Sequence, residues 1–313
     1  MDKILSMLAD PNMQWIFLGC TLLGLSSGVI GCFSYLRKQS LMGDTLAHAA
    51  LPGICIAFML TGVKSIGLFL IGAGIAGLAA TLGIGYITRN SKLKQDAAMG
   101  IVLSGFFGLG IVLLTFIQHG NYGNQSGLDK FMFGQAASMI ASDVVAMTIV
   151  CGLLISVCAL LFKQFKIISF DPGFARGIGY PVAFLEQLLM FLIVVAVVAG
   201  IQAVGVVLVA ALLITPAVSA RYWTDRLGLM VILSGLIGAA SGAAGTWISA
   251  SVSNLPTGPV TVLAATMLFG ISVLFGPKRG LVAKRLMRRK AKRRFNRDTE
   301  LHAQGSVKKE AAL

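Results

Sequence analysis

Asp44 and His48 stand four residues apart in the segment Gly43-Asp44-Thr45-Leu46-Ala47-His48-Ala49-Ala50-Leu51-Pro52-Gly53. On a helix that spacing puts both side chains on one face, about one turn apart. A carboxylate oxygen and an imidazole nitrogen so placed form half of a divalent-metal site. A second copy across a two-fold axis would complete it as an Asp2His2 set. The same spacing also suits an aspartate that caps the helix start with a histidine bonded to it, and spacing alone leaves both readings open. Ionisable groups are costly in apolar segments, and only this segment holds both an Asp and a His.

A second stretch, Phe170-Asp171-Pro172-Gly173-Phe174-Ala175-Arg176-Gly177-Ile178-Gly179-Tyr180-Pro181, has the punctuation of a short helix. Asp171 is a good N-cap, Pro172 fits the first turn, and Gly179 with Pro181 ends the helix after about two turns. Between membrane spans such a helix is either a plug for a soluble motor or an amphipathic connector. The chain has no GxxxxGK[ST] phosphate loop, and no Gly-Lys dipeptide at all. ATP hydrolysis would therefore require another polypeptide. No HExxH helix occurs, and an intramembrane hydrolase built on His48 lacks a partnered nucleophile. The five cysteines, Cys20, Cys32, Cys55, Cys151 and Cys158, lie in apolar runs without a CxxC pair and read as small hydrophobes. His119 reads as a solvated loop residue or a point of metal hand-over. Asp143 and Glu186 suit the positive ends of helix dipoles.

The elements that must hold these residues belong in lipid. Apolar residues make up 56% of the 313 positions and charged residues 12%, where soluble chains carry roughly 25% charge. Of the 26 Lys and Arg, 13 fall in residues 278–313, so the rest of the chain is still poorer in charge. At ~20 residues per crossing, the apolar stretches allow about nine transmembrane helices. The sixth and seventh form one apolar run, Leu188 to Ala220, which the turn Gly200-Ile201-Gln202 is expected to fold into a hairpin. Nine spans with the N-terminus outside put 23 of the 26 basic residues on the cytoplasmic side, leaving only Lys3, Lys64 and Lys130 outside. Residues 119–139 read as an outer loop with a re-entrant or interfacial piece. Pro52 and Pro216 are expected to kink their spans. Gly24 with Gly28, and Gly238 with Gly242, have the spacing of close helix packing. The expected architecture is an all-α polytopic membrane protein. A permease domain spans 1–277, with a short cytoplasmic helix, and a basic cytoplasmic tail spans 278–313. No removable signal peptide is expected at the N-terminus.

The run GDTLAHAALPG resembles the signature of the permease subunits of manganese/zinc/iron ABC importers, the ABC-3 family. So do the Phe170–Pro181 stretch, the run VGVVLVAALLITPA at 204–217 and LPTGP at 255–259, in family order across roughly residues 13 to 277. The resemblance implies that Asp44 and His48 line the translocation path and hold the metal. It also implies that the helix opened by Asp171, with Pro172, Phe174, Ala175, Arg176, Gly177 and Gly179, is the coupling helix that docks in a groove of the ATPase.

The expected function is that of a membrane permease subunit of an ATP-driven metal importer in a bacterial cell membrane, not an enzyme in itself. Hard oxygen with imidazole suits manganese, although zinc and iron accept the same donors. No permanently bound cofactor is expected. The partners are a cytoplasmic ATP-binding subunit, a second permease subunit, identical or paralogous, and an extracytoplasmic metal-binding protein. The RLMRRKAKRR tail suits anionic lipid headgroups and not nucleic acid. The competing function is a secondary proton-coupled metal carrier or channel using Asp44 as a relay.

Overall fold

A computed structural model describes residues 11–39, 41–62, 66–119, 139, 141–252, 255–285 and 288. The 119–139 loop beyond His119 and Met139, the outer lysines Lys3, Lys64 and Lys130, and most of the basic tail lie outside the described residues. Every element among the described residues is a helix. In chain order they are α1 (Pro11–Leu36), α2 (Met42–Thr61), α3 (Ile66–Asn90), α4 (Gln95–His119), α5 (Ala141–Leu160), α6 (Phe162–Phe170), α7 (Pro172–Gly177), α8 (Val182–Val204), α9 (Val206–Trp223), α10 (Leu227–Ser251) and α11 (Thr257–Phe275). Eight of them are long and apolar enough to cross a membrane, counted over the described residues. The remaining expected crossing falls on α9, a helix of 18 residues.

Glycine decides how closely these helices approach. α1 runs antiparallel to α10, and the two share the most extensive helix contact among the described residues. A Cβ at Gly24 would overlap the Gly238 carbonyl, one at Gly28 the Ser234 carbonyl, and one at Gly242 the Cys20 carbonyl. Ser234 Oγ adds a hydrogen bond to the Gly28 carbonyl at 2.6 Å. Lipid offers no hydrophobic drive for helix pairing, so dispersion between close backbones must supply it. The same device joins α2 to α3 at Gly53 and Gly72, and sets α1 on α9 where Gly31 meets the Leu213 carbonyl.

The break between α8 and α9 falls at Gly205, not at the Gly200-Ile201-Gln202 turn expected from the sequence. Gly205 has φ 90° and ψ 163°, a region that is essentially closed to residues with a Cβ. Gly200 stays helical, and by Val209 the chain has folded back far enough that a side chain at Gly200 would overlap it. α5 likewise does not run straight into α7: Leu161 leaves helical geometry and a separate nine-residue helix, α6, follows.

Gly24→Ala is expected to lower the melting temperature of the detergent-solubilised protein, because the added methyl must displace a carbonyl of α10; overpacking of this kind costs about 1–3 kcal/mol. Gly74→Ala is the control. A Cβ there meets nothing within 4 Å, so the melting temperature should hold or rise with the better helix former. Equal losses in both variants would mean that close packing at Gly24 is not what holds α1 to α10.

Candidate metal centre

α2 begins at Met42, and its N-cap position is Leu41, which makes no side-chain capping bond. Asp44 therefore does not cap the helix start, one of the two roles its spacing allowed. Its partner among the described residues is His48, whose Nε2 lies 3.5 Å from Asp44 Oδ1. That is longer than an ordinary hydrogen bond, so the two groups face each other without saturating each other. The side chains are 42% and 20% exposed. His48 Nδ1 is buried without a hydrogen-bond partner, and its ring packs edge-on against Phe107 of α4 at 4.8 Å. The pair thus offers a carboxylate and an imidazole on an open helix face, about 10 Å or less along α2 from its first turn.

Behind the pair, α2 packs directly on its neighbours. A Cβ at Gly43 would sit 3.4 Å from Ala210 Cα, which places the start of α2 directly on α9. Farther along α2, Leu51 packs on Gly110 of α4, and Pro52 lies inside the helix. Beside the pair, α4 turns Gly100, Ser104, Gly105 and Gly108 outward. Nothing among the described residues approaches the Cβ positions of Gly100, Gly105 and Gly108. A helix from another molecule can come close there.

Among the described residues no group of three or more His, Cys, Asp or Glu side chains converges. Asp44 and His48 are thus two donors where divalent transition metals take four to six. His119 is exposed at the end of α4, with Nδ1 against the Thr115 carbonyl of its own helix at 2.9 Å. All five cysteines are buried and unpaired, as hydrophobes would be.

The short helix α7 has the caps read from the sequence. Asp171 accepts a hydrogen bond from the Phe174 amide at 2.9 Å, Pro172 opens the helix, and Gly179 with φ 87° follows its end. Ala175 is buried, while Phe170, Phe174, Arg176, Gly177 and Ile178 are exposed. Little side-chain room would be a natural expectation at Gly177 and Gly179, but a Cβ at either meets nothing within 4 Å. Only Gly179 is constrained, by its backbone.

Two features that position these sites escaped the sequence. Phe33 at the end of α1 meets Phe162 and Phe165 of α6 edge-on, with centroids 6.2 and 5.6 Å apart, so α6 fixes α7 to the first span. Glu186, expected to favour a helix dipole, lies beyond the first turn of α8 and pairs instead with Arg37 Nη2 at 2.7 Å. That bond ties the α1–α2 turn to the helix that follows α7. Nothing local marks either contact, since the partners are more than a hundred residues apart in sequence.

Residues 9–276 match the family described as the ABC 3 transport family. The chain is 52% identical over 296 residues to the "Manganese transport system membrane protein MntC" of Bacillus subtilis (strain 168), covering 95% of this chain and 68% of that protein. It is 44% identical to the "Zinc transport system membrane protein TroC" of Treponema pallidum (strain Nichols), covering 93% and 97%. Among solved structures it is similar to "PsaBC from Streptococcus pneumoniae in complex with Fab", with a TM-score of 0.78, 35% identity, and 89% of this chain and 97% of that chain covered.

Glu186→Leu strands the mostly buried Arg37 guanidinium and is expected to cost on the order of 2 kcal/mol. Arg37→Leu/Glu186→Leu removes both charges and should recover part of the lost melting temperature. If the single variant melts like the wild type, the pair does not hold α1 to α8.

Proposed function

The chain belongs to the ABC 3 transport family, and from that premise we propose that it is the membrane permease subunit of an ATP-driven importer of a divalent transition metal. Manganese is the first candidate, with zinc and iron as alternatives. Carboxylate oxygen and imidazole nitrogen accept all three, and the relatives named above include manganese and zinc systems. The observation that carries the proposal is the Asp44–His48 pair: two unsaturated donors on an open helix face, beside a helix surface that another backbone can approach.

Two permease chains related by a two-fold axis bring two carboxylates and two imidazoles to one ion. The two negative charges balance the divalent cation, which keeps the cluster neutral in a passage of low dielectric. Separation of the two copies leaves each with two donors, too few to retain the ion, and this is the physical basis for release in an alternating-access cycle.

Energy enters through α7. The chain carries no phosphate loop, so a separate ATP-binding subunit binds and hydrolyses the nucleotide. Phe170, Phe174 and Ile178 are exposed apolar groups on a short segment between spans, which suits docking onto a soluble subunit. A proton-coupled carrier would leave them without a task. A push on α7 reaches α2 through α6, the Phe33 ring contacts and α1, and by a second route through α8, Glu186 and Arg37. Residues 1–277 form the permease domain and 278–313 a basic tail toward anionic lipid headgroups. The chain sits in the bacterial cell membrane with its N-terminus outside and its C-terminus cytoplasmic, the orientation that the basic residues favour. An extracytoplasmic metal-binding protein delivers the ion.

Asp44→Ala and His48→Ala should each abolish uptake of radioactive manganese by intact cells while leaving membrane insertion and co-purification with the ATPase unchanged. Near-normal uptake in either variant would make the pair structural. For orientation, Ser251→Cys should react with an impermeant thiol reagent added to intact cells, and Arg176→Cys should react only after lysis. Labelling at Arg176 from outside would invert the topology.

A further inference from the structure

The Arg37–Glu186 link leaves polar atoms unused at the end of α3 nearest the α1–α2 turn. Arg37 spends Nη2 on Glu186, but its Nη1 is buried with no hydrogen-bond partner among the described residues, and so is Gln39 Oε1. Both residues line a cavity of about 250 Å³ together with Thr88, Arg89, Glu186 and Gln187. A neighbouring cavity of about 610 Å³ shares Gly85, Arg89 and Gln187 with it and adds Leu82 and Tyr86. The space lies over Gly85, where a Cβ would meet nothing within 4 Å among the described residues.

From this polar end an apolar track leaves along α3. Arg89, Tyr86, Leu82, Ala79 and Ile75 follow one another at steps of three or four, so they share one helix face, and all five are exposed. Arg89 to Ala79 spans about 15 Å, the depth of one leaflet of a ~30 Å hydrocarbon core. Tyr86 stands where an aromatic ring suits the boundary between headgroups and chains. The charge is also one-sided. Arg89 lines both cavities with Arg37 in the smaller one, and Lys92 and Lys94 are exposed in the connection that follows α3, against Glu186, already paired with Arg37, and Asp96 on the first turn of α4.

A basic, partly unsatisfied pocket that opens onto an apolar track one leaflet long matches an anionic headgroup with an acyl chain attached. We propose that this face of α3 seats one anionic glycerophospholipid. Its phosphate lies against Arg89 and Gln187 in the space above Gly85, an ester oxygen accepts from Arg37, a headgroup hydroxyl donates to Gln39 Oε1, and an acyl chain runs along Tyr86, Leu82 and Ala79. Through Arg37 the lipid touches the same turn that Glu186 ties to α8, so it braces the joint between the two sites described above.

Native mass spectrometry of the full-length protein in detergent, titrated with phosphatidylglycerol or phosphatidylcholine, tests this. Wild type should retain one phosphatidylglycerol more than Gly85→Phe, which fills the space while leaving every charge in place. Arg89→Gln should weaken phosphatidylglycerol retention about five-fold, the effect of one cation at a lipid surface, and erase its preference over phosphatidylcholine. The basic tail is present in all three proteins and cancels from the comparison. Equal phosphatidylglycerol retention in wild type and both variants would overturn the proposal, as would wild-type retention of phosphatidylcholine as strong as that of phosphatidylglycerol. Displacement of the lipid by millimolar inorganic phosphate would show an anion pocket without a chain seat. Loss of ATPase co-purification in Arg89→Gln, with lipid retention intact, would assign the pocket to a protein interface. Either result refutes the lipid.

Discussion

Helix backbones in this protein touch where side chains would ordinarily keep them apart, and the remaining arrangement follows from that constraint. Gly24 and Gly238 each occupy the space that the other's side chain would need. Gly31 against the Leu213 carbonyl then fixes α9 beside α1, and Gly43 against Ala210 fixes the first turn of α2 on α9. The chain of contacts therefore runs from α10 through α1 and α9 to the turn that carries Asp44. In lipid, where apolar side chains gain nothing by leaving the solvent, this proximity is the main source of helix cohesion. It also sets the turn that carries a carboxylate in direct contact with α9, within an apolar bundle.

The pair itself is built to be incomplete. Its 3.5 Å separation leaves the Asp44 carboxylate and His48 Nε2 unsaturated by each other, and an incomplete shell is what the proposed transport would require. A site satisfied within one chain would hold its ion through every conformation, whereas a site shared across a moving interface changes affinity when the interface moves. The same logic links the pair to α7. The aromatic contact of Phe33 with α6 and the Arg37–Glu186 bond both end near the α1–α2 turn, so on the proposed reading force applied at the short helix would arrive at the base of α2.

The features legible in the sequence were those with local signatures. Asp44 and His48 stood out because few ionisable groups lie in apolar segments, and Asp171 with Pro172 announced a capped helix. Gly24, Gly28, Gly238 and Gly242 announced tight packing, but not that their two helices pack on each other. The break in the Leu188 to Ala220 run was legible as a necessity, but its position was not. Gly200 and Gly205 look alike in composition, and only tertiary packing selects which of them takes φ 90°. The Arg37–Glu186 bond and the aromatic cluster around Phe33 join distant segments and leave no local trace. Open space at Gly177 was invisible for a related reason: a glycine can mark a close neighbour or the lack of one.

The stoichiometry of bound metal bears most directly on a site shared between two chains. The purified permease–ATPase complex would be saturated with manganese, freed of excess ion, and assayed for metal against permease chains by elemental analysis. Electron spin resonance would report imidazole nitrogen at the ion. A shared site predicts one ion for two permease chains, with two equivalent imidazole nitrogens coupled to it. One ion per permease chain, or an ion without imidazole coupling, would contradict it.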